Sequence, residues 1–181
     1  KKTGTDIIAV GSSVTAGLTA GSSAHVSLSN AHFGLMAGAG STAFELKNGS
    51  FSASIDGLAS ITAQTVLVRY TDATTSVASG TTITVGSTSY TFDDEITADT
   101  VALEVTGFEA NVADFVSLSG DIGFKKTGTD IIAIGRSVTA ALTAGDAVHV
   151  SLSDADFGLM AGTGSTAFEL KNGSFSASID G

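Results

Sequence analysis

The sequence predicts an all-β fold, a β-solenoid-like stack of units about 33 residues long. Three observations lead to this fold: an internal repeat, alternating apolar and polar residues, and 22 glycines without a single proline. Proline would remove hydrogen bonds from a sheet, whereas glycine permits tight corners. Tandem antiparallel β-sandwich or meander domains, one per 124 residues, are an open alternative, because the sequence does not orient the strands.

A long repeat sets the organisation of the chain. Residues 1–57 recur at 125–181, an offset of 124, with nine differences, so 48 of the 57 positions are identical. The chain therefore divides into a partial repeat at 1–57, the remainder of the period at 58–124, and a second copy of the first segment at 125–181. Near identity over this length indicates recent duplication within a longer array.

Each period divides further into three units. Leu28, Ile61, Leu118 and Leu152 occupy the same place in successive units, at spacings of 33, 57 and 34 residues. The middle unit is longer than the others because it carries an insertion at 71–100.

Each unit consists of two arms that are interrupted by polar breaks. The arms alternate with a period of two, which is typical of half-buried strands. Across a break the step between apolar residues is odd, five residues from Leu152 to Phe157. A flat strand would turn the second residue to the opposite face, so we expect a bend or bulge at each break. Six residues share one place in the unit pattern and are expected in the core: Phe51, Phe108, Phe175, Leu46, Leu103 and Leu170.

The insertion is the least regular segment, and irregular loops are where binding sites are usually carried. Residues 81–85 and 89–92 alternate on either side of a turn at 86–88, which predicts a hairpin. After it, Asp93 is expected to cap a short helical turn that ends at Asp99.

The same segment contains the densest acidic cluster, formed by Asp93, Asp94, Glu95 and Asp99. Closely spaced carboxylates are the ligands that Ca²⁺ prefers, so these four are the candidate metal ligands, and Ca²⁺ is the one cofactor considered. The competing interpretation is a solvated turn, because the spacing is not that of an EF-hand.

Composition argues against several classes of function. Charged residues are 14% of the chain, against a usual level of about 25%. The net charge of −10 opposes binding to nucleic acid, which needs a basic face. No apolar run approaches the roughly 18 residues of a membrane span. There is no cysteine for a disulfide or a thiolate.

No catalytic constellation is visible either, and we do not expect an enzyme. No serine lies in a nucleophile elbow. His25 and His149 are equivalent positions without a second ligand at metal spacing. The pair Asp154 and Asp156 is replaced in the first copy, so it is not a retained site.

The near-identical period, Gly/Thr/Ser-rich phrases such as those at 80–85 and 89–93, and the lack of cysteine and proline resemble the repeat regions of giant adhesin-like bacterial surface proteins. The resemblance implies export, attachment to or release from the cell surface, and a role in adhesion or cell-cell association. It assigns no functional residue.

We therefore expect a structural stalk or fibre located outside the cell. Its expected partners are neighbouring repeats of the same chain, with end-to-end self-association of separate chains. The alternative is a module that binds a glycan or Ca²⁺ through the 71–100 insertion, although the sequence does not identify the ligand. A third hypothesis, an ice-binding face at 81–84, is weakened because the other units do not repeat those threonines.

Overall fold

The computed structural model describes residues 1–113, 115–145 and 148–179, with Thr3 described by its backbone alone. Asp180 and Gly181, at the end of the second copy, lie outside the described residues. Among the described residues there is no helix, and hence none with the length and apolarity needed to cross a membrane. The strands are β1 Lys2–Thr3, β2 Asp6–Ala20, β3 Ala24–Gly38, β4 Ser41–Ile55, β5 Ala59–Thr71, β6 Thr82–Val85, β7 Thr88–Thr91, β8 Thr100–Val112, β9 Val116–Thr127, β10 Asp130–Ala144, β11 Val148–Gly162, β12 Ser165–Lys171 and β13 Ser174–Ile179.

Eleven of these strands form one open antiparallel sheet. β1 to β5 and β8 to β12 lie side by side in chain order, and β13 pairs with β11 beyond the end of β12. β6 and β7 form a separate hairpin. The all-β prediction is confirmed, and the strands run as in the meander alternative. The stacking of coils expected of a solenoid is not confirmed.

Each unit of the sequence pattern corresponds to one long hairpin of this meander. The first hairpin is β3 with β4, the second is β5 with β8 and carries the insertion, and the third is β9 with β10. The second copy repeats the first hairpin as β11 with β12 and β13, which are one strand interrupted at its polar break.

The polar breaks lie near the middle of the long strands and disturb the ladder there. The pairing of β4 with β5 shifts between Leu46 and Phe51, and that of β8 with β9 shifts between Val105 and Phe108. Asn and Asp tolerate the left-handed backbone region better than most residues, and several breaks use them. The expected irregularity is confirmed. The break residues with positive φ are Ser13, Asn30, Asn48, Gly107, Gly120, Ser137, Asp154 and Asn172.

The two copies have the same strand register. The ladder of β2 with β3 runs from Ile7↔Ala37 to Ala20↔Ala24, and that of β10 with β11 runs through the positions 124 residues later. Most of β9, residues 116–124, belongs to the first period, and the whole strand pairs with β10 of the second period. The sheet therefore crosses the boundary between periods without a gap.

Burial in the sheet depends on the position of a residue along its strand and on what lies beside and above that strand. Small residues beside the breaks, such as Ala31 and Ala155, are fully buried, whereas Leu18 near the end of β2 is 70% exposed. The prediction of six core residues is wrong, because none of them is among the buried hydrophobic residues that form the core. Leu170 and Phe175 lie on β12 and β13, which have a neighbouring strand among the described residues on one side only. Phe51, Phe108 and Leu46 are half-buried, whereas the exposed members are Leu103, Leu170 and Phe175.

Phe51 and Phe175 are equivalent positions that differ in their surroundings. Phe51 pairs with Leu28 and Ala63 on its two sides, whereas Phe175 pairs with Leu152 alone and is 71% exposed. We expect Phe51→Ala to lower the free energy of unfolding by about 2 kcal/mol, less than for a fully buried ring. Phe175→Ala should lower it by less than about 1 kcal/mol. Urea unfolding of both variants measures the difference, and equal losses would contradict the burial pattern.

Candidate functional site

The insertion leaves and rejoins the sheet at two neighbouring threonines. The hydroxyl of Thr71, at the end of β5, donates to the carbonyl of Thr97 at 2.6 Å and accepts from the N–H of Thr100 at 3.1 Å. Both threonines are 1% exposed. Between them the predicted hairpin is confirmed, with the two-residue turn Gly86-Ser87 between Val85 and Thr88.

The prediction of a helical turn after the hairpin is wrong. Ile96 instead forms an isolated bridge with Val77, with two backbone hydrogen bonds of 2.9 Å between them. This bridge closes the base of the insertion and places both apolar side chains in its buried interior, at 1% and 2% exposure. Pairing the backbone in this way satisfies polar groups that would otherwise be buried without partners.

Asp72 connects the insertion to the start of β4. Its carboxylate accepts hydrogen bonds from the backbone N–H and hydroxyl of Thr74 and from the backbone N–H of Thr42. These bonds, led by that from the Thr74 N–H, lower the pKa of Asp72 to about 2. A lowered pKa means that the ionised carboxylate stabilises the fold above about pH 4 and that this contribution is lost as the pH falls towards 2.

The insertion lies over one face of β2, β3 and β4, which we call the first docking face. The apolar cluster between them is the core of the described residues. Tyr90 and Phe92 pack edge to face within it, with ring centroids 5.2 Å apart. The insertion contributes Val77, Ile83, Tyr90, Phe92 and Ile96 to this cluster. The first docking face consists of Ile8, Val10, Gly34, Met36, Ala43, Glu45 and Lys47.

Gly34 makes room for the ring of Tyr90. A Cβ atom at position 34 would lie 2.4 Å from a ring carbon of Tyr90, closer than any real contact of this kind. The glycine is buried in the second half of β3, where a larger residue would otherwise be favoured. The absence of a side chain at position 34 therefore allows the insertion to approach the sheet.

A carboxylate is enclosed at the edge of this cluster. Glu45 is fully buried, and one of its oxygens accepts a hydrogen bond from the Tyr90 hydroxyl at 2.8 Å. The other oxygen accepts one from Nε of Arg69 at 2.6 Å. A buried carboxylate is tolerated only when it is paired in this way. Glu45 thus joins three separate elements: β4, β5 and the insertion.

Two of the acidic residues of the insertion complete the contacts with the sheet. Nη2 of Arg69 donates to Asp94 at 2.5 Å. Nζ of Lys47 donates to Asp93 at 2.5 Å and to the carbonyl of Thr91 at 2.8 Å, and it lies 4.8 Å from the centroid of the Tyr90 ring. The insertion is therefore held by apolar packing at its centre and by ion pairs along one side.

This environment raises the pKa values of Tyr90 and Arg69, so neither side chain titrates near neutral pH. Burial raises the pKa of Tyr90 well above its ordinary value, and the hydrogen bond to Glu45 raises it further. Burial acts to lower the pKa of Arg69, but hydrogen bonds and charges from Glu45 and Asp94 outweigh it, so the pKa is raised.

The structure separates the four acidic residues that the sequence grouped as metal ligands. Asp93 and Asp94 point to different basic partners, while Glu95 is exposed. Asp99 has a positive φ, and its backbone N–H donates to the carbonyl of Asp72 at 2.8 Å. Within the described ranges, no three His, Cys, Asp or Glu side chains are grouped so that they could hold a metal ion.

The residues that form the buried network were not identified from the sequence. Glu45 and Lys47 alternate with apolar residues in β4, and this was the available signal: two charged side chains directed to the same face as Ala43. Their partners Tyr90 and Asp93 lie 45 and 46 residues further along the chain. No local pattern links residues at such distances.

Comparison with known proteins identifies no relative: no family model, curated protein or solved structure matches the chain. Functional inference therefore depends on the geometry and the repeat of the chain itself.

The repeat offers an internal control for the role of Glu45. Its equivalent, Glu169, has a side chain that is 73% exposed and lies 4.0 Å from Lys171. We expect Glu45→Ala to lower the free energy of unfolding by about 3 kcal/mol, because Arg69 and Tyr90 lose a buried partner. Glu169→Ala should change it by less than about 0.5 kcal/mol. Urea unfolding followed by circular dichroism compares the two, and a small effect at both positions would contradict the buried network.

Alkaline titration tests the burial of Tyr90. Because its pKa is raised above the ordinary 10.0, the neutral phenol stabilises docking fully below about pH 10, and this contribution is lost as the pH rises further. In Tyr70→Phe, where Tyr90 is the remaining tyrosine, we expect tyrosinate absorbance to appear only together with loss of the folded circular dichroism signal. Tyr90→Phe serves as the reference for Tyr70. Reversible ionisation of Tyr90 near pH 10 in the folded protein would show that the ring is not enclosed.

Proposed function

We propose that the chain is a structural repeat segment of an extracellular bacterial surface protein, forming a stalk or fibre for adhesion or cell-cell association. The observation that carries the proposal is the junction between periods. The part of β9 that belongs to the first period, residues 116–124, is hydrogen-bonded to β10 of the second period as fully as strands within one period. Repeats joined in this way extend a single sheet, whereas independent domains would be separated by linkers.

Regular growth of the sheet would give an elongated body. One period contributes six strands to it, namely β2 to β5, β8 and β9. At roughly 4.8 Å between neighbouring strands, each period would lengthen the sheet by roughly 29 Å. The bent hairpins then follow one another like the coils of a solenoid, although each is an antiparallel unit. Neighbouring repeats of the same chain are the partners in this assembly.

The composition fits a repeated segment exposed to solvent outside the cell. The net charge of −10 favours solubility of a long array, and the chain does not depend on disulfides, because it has no cysteine. Near-identical long periods and Gly/Thr/Ser-rich strands also resemble giant adhesin-like surface proteins. These features motivate the extracellular location and the role in adhesion.

Chains of one, two and three periods test the proposed continuity. We expect the largest dimension measured by small-angle X-ray scattering to grow by roughly 29 Å with each period. The urea midpoint should also rise with the number of periods, because each junction adds an interface. A midpoint that is independent of repeat number, with flexible scattering profiles, would indicate separate domains and would contradict the fibre.

The adhesive role needs a separate experiment. Beads coated with the three-period chain should aggregate or retain bacterial cells more than beads coated with an unrelated acidic protein. Glycan arrays and calorimetry with Ca²⁺ address the alternative. Specific, saturable binding of a glycan or Ca²⁺ that is lost when 72–99 is deleted would replace the structural proposal with a binding module.

A further inference from the structure

We propose that the second copy carries its own docking face, and that this face binds another copy of the 71–100 insertion, supplied by a further period. The inference deepens the proposed function and rests on it, since the occupant comes from a neighbouring repeat. The second docking face consists of Ile132, Ile134, Gly158, Met160, Ala167, Glu169 and Lys171.

The second docking face reproduces the first almost completely. Each of its residues lies 124 positions after a residue of the first docking face, and six of the seven are identical. The exception is Val10, which becomes Ile134 and gains one methylene group. The strand register around the two faces is also the same. A surface that binds the insertion in the first copy is therefore present again in the second.

None of the residues that the structure describes forms a layer over the second face. Met160 is 59% exposed and Ile132 is 43% exposed, whereas Met36 and Ile8 are half-buried beneath the insertion. Lys171 shows the same contrast, with a side chain that is 58% exposed against 17% for Lys47. Contiguous exposed apolar residues rimmed by charges are typical of an interaction surface.

The exposure of Met160 and Ile132 does not arise from the edge of the sheet. Met160 lies on β11, between β10 and β12, and Ile132 lies on β10, between β9 and β11. Both residues thus have strand neighbours on either side, as Met36 does. What differs is the layer above them, which in the first copy is the insertion.

The shape of the second face fits the same occupant. A groove of about 330 Å³ lies over it, lined by Asp130, Ile132, Met160 and Ala167 among others. A Cβ atom at Gly158 would meet nothing within 4 Å, whereas the equivalent position at Gly34 is filled by Tyr90. The space that an incoming tyrosine ring requires is therefore open.

The charges also select this occupant over a generic apolar partner. Glu169 stands where Glu45 accepts hydrogen bonds from the Tyr90 hydroxyl and from Arg69, and Lys171 stands where Lys47 donates to Asp93. A further insertion, with the strand equivalent to β5 beside it, brings all of these partners at once. Burying Glu169 without them would be costly, so an unrelated apolar surface fits less well.

The two methionines of the chain provide a direct measurement, because Met36 and Met160 occupy equivalent positions in the two faces. The test compares the 181-residue chain with a chain in which residues 58–124 are repeated after Gly181. Dilute hydrogen peroxide and peptide mass spectrometry give the oxidation rate of each methionine. In the 181-residue chain Met160 should oxidise faster than Met36. In the extended chain the rate of Met160 should fall to that of Met36.

Two controls separate docking from simple extension of the sheet. The first has the same extension with its copy of residues 72–99 replaced by an Asn-Gly turn, which adds strands without an insertion. The second is the full extension with Gly158→Ala, whose Cβ would obstruct the tyrosine ring as one at Gly34 would. Met160 should oxidise rapidly in both. Gly34→Ala should conversely accelerate oxidation of Met36.

Hydrogen exchange of the appended strand distinguishes the two proposals. The appended strand is the copy of β5 that follows Gly181. If its amides are protected and Met160 is still oxidised rapidly, docking is overturned while the continuous sheet stands. Equal protection of Met160 by the strand-only extension overturns docking as well. An unprotected appended strand overturns both the docking and the proposed function, because the sheet then does not continue.

Discussion

One local distortion of the strand keeps the apolar residues on either side of each polar break on the same face of the sheet. Leu28 and Phe33, for example, are separated by five residues, and the positive φ of Asn30 between them keeps both on one face of the sheet. Neighbouring strands have their breaks at matching positions, so the hairpins align and keep the same register in both copies. Without the breaks, half of each strand would present its polar residues to the apolar face.

The enclosed carboxylate of Glu45 gives the insertion its specific position on this sheet. Apolar packing alone would allow the hairpin to slide, whereas Glu45 requires Tyr90 and Arg69 at hydrogen-bonding distance. The same residue type is harmless at position 169, where solvent and Lys171 surround it. A glutamate at this position is thus compatible with a covered and with an uncovered face, which suits a repeat whose members have different neighbours.

The features that could be predicted from the sequence are the local ones. Alternation predicts the strands, the odd step from Leu152 to Phe157 predicts the bulges, and the spacing of 33 residues corresponds to one hairpin. Strand direction was not determined, because parallel and antiparallel strands alternate in the same way. Burial of Phe175 was wrongly expected, since it depends on which strand lies beside it. The partners of Asp93 and Asp94 are 46 and 25 residues away, beyond any local pattern.

The insertion covers strands that precede it in the sequence, so the ribosome completes these strands before it synthesises the residues that cover them. Strands β2 to β4 end at Ile55, but the insertion that covers them ends at Thr100, 45 residues later. At about 5–20 residues per second, the nascent chain needs roughly 2–9 s to produce those residues. During that interval the first docking face is translated but uncovered. The speed of translation across 56–100 therefore determines how long its apolar side chains remain available to chaperones or to other nascent chains.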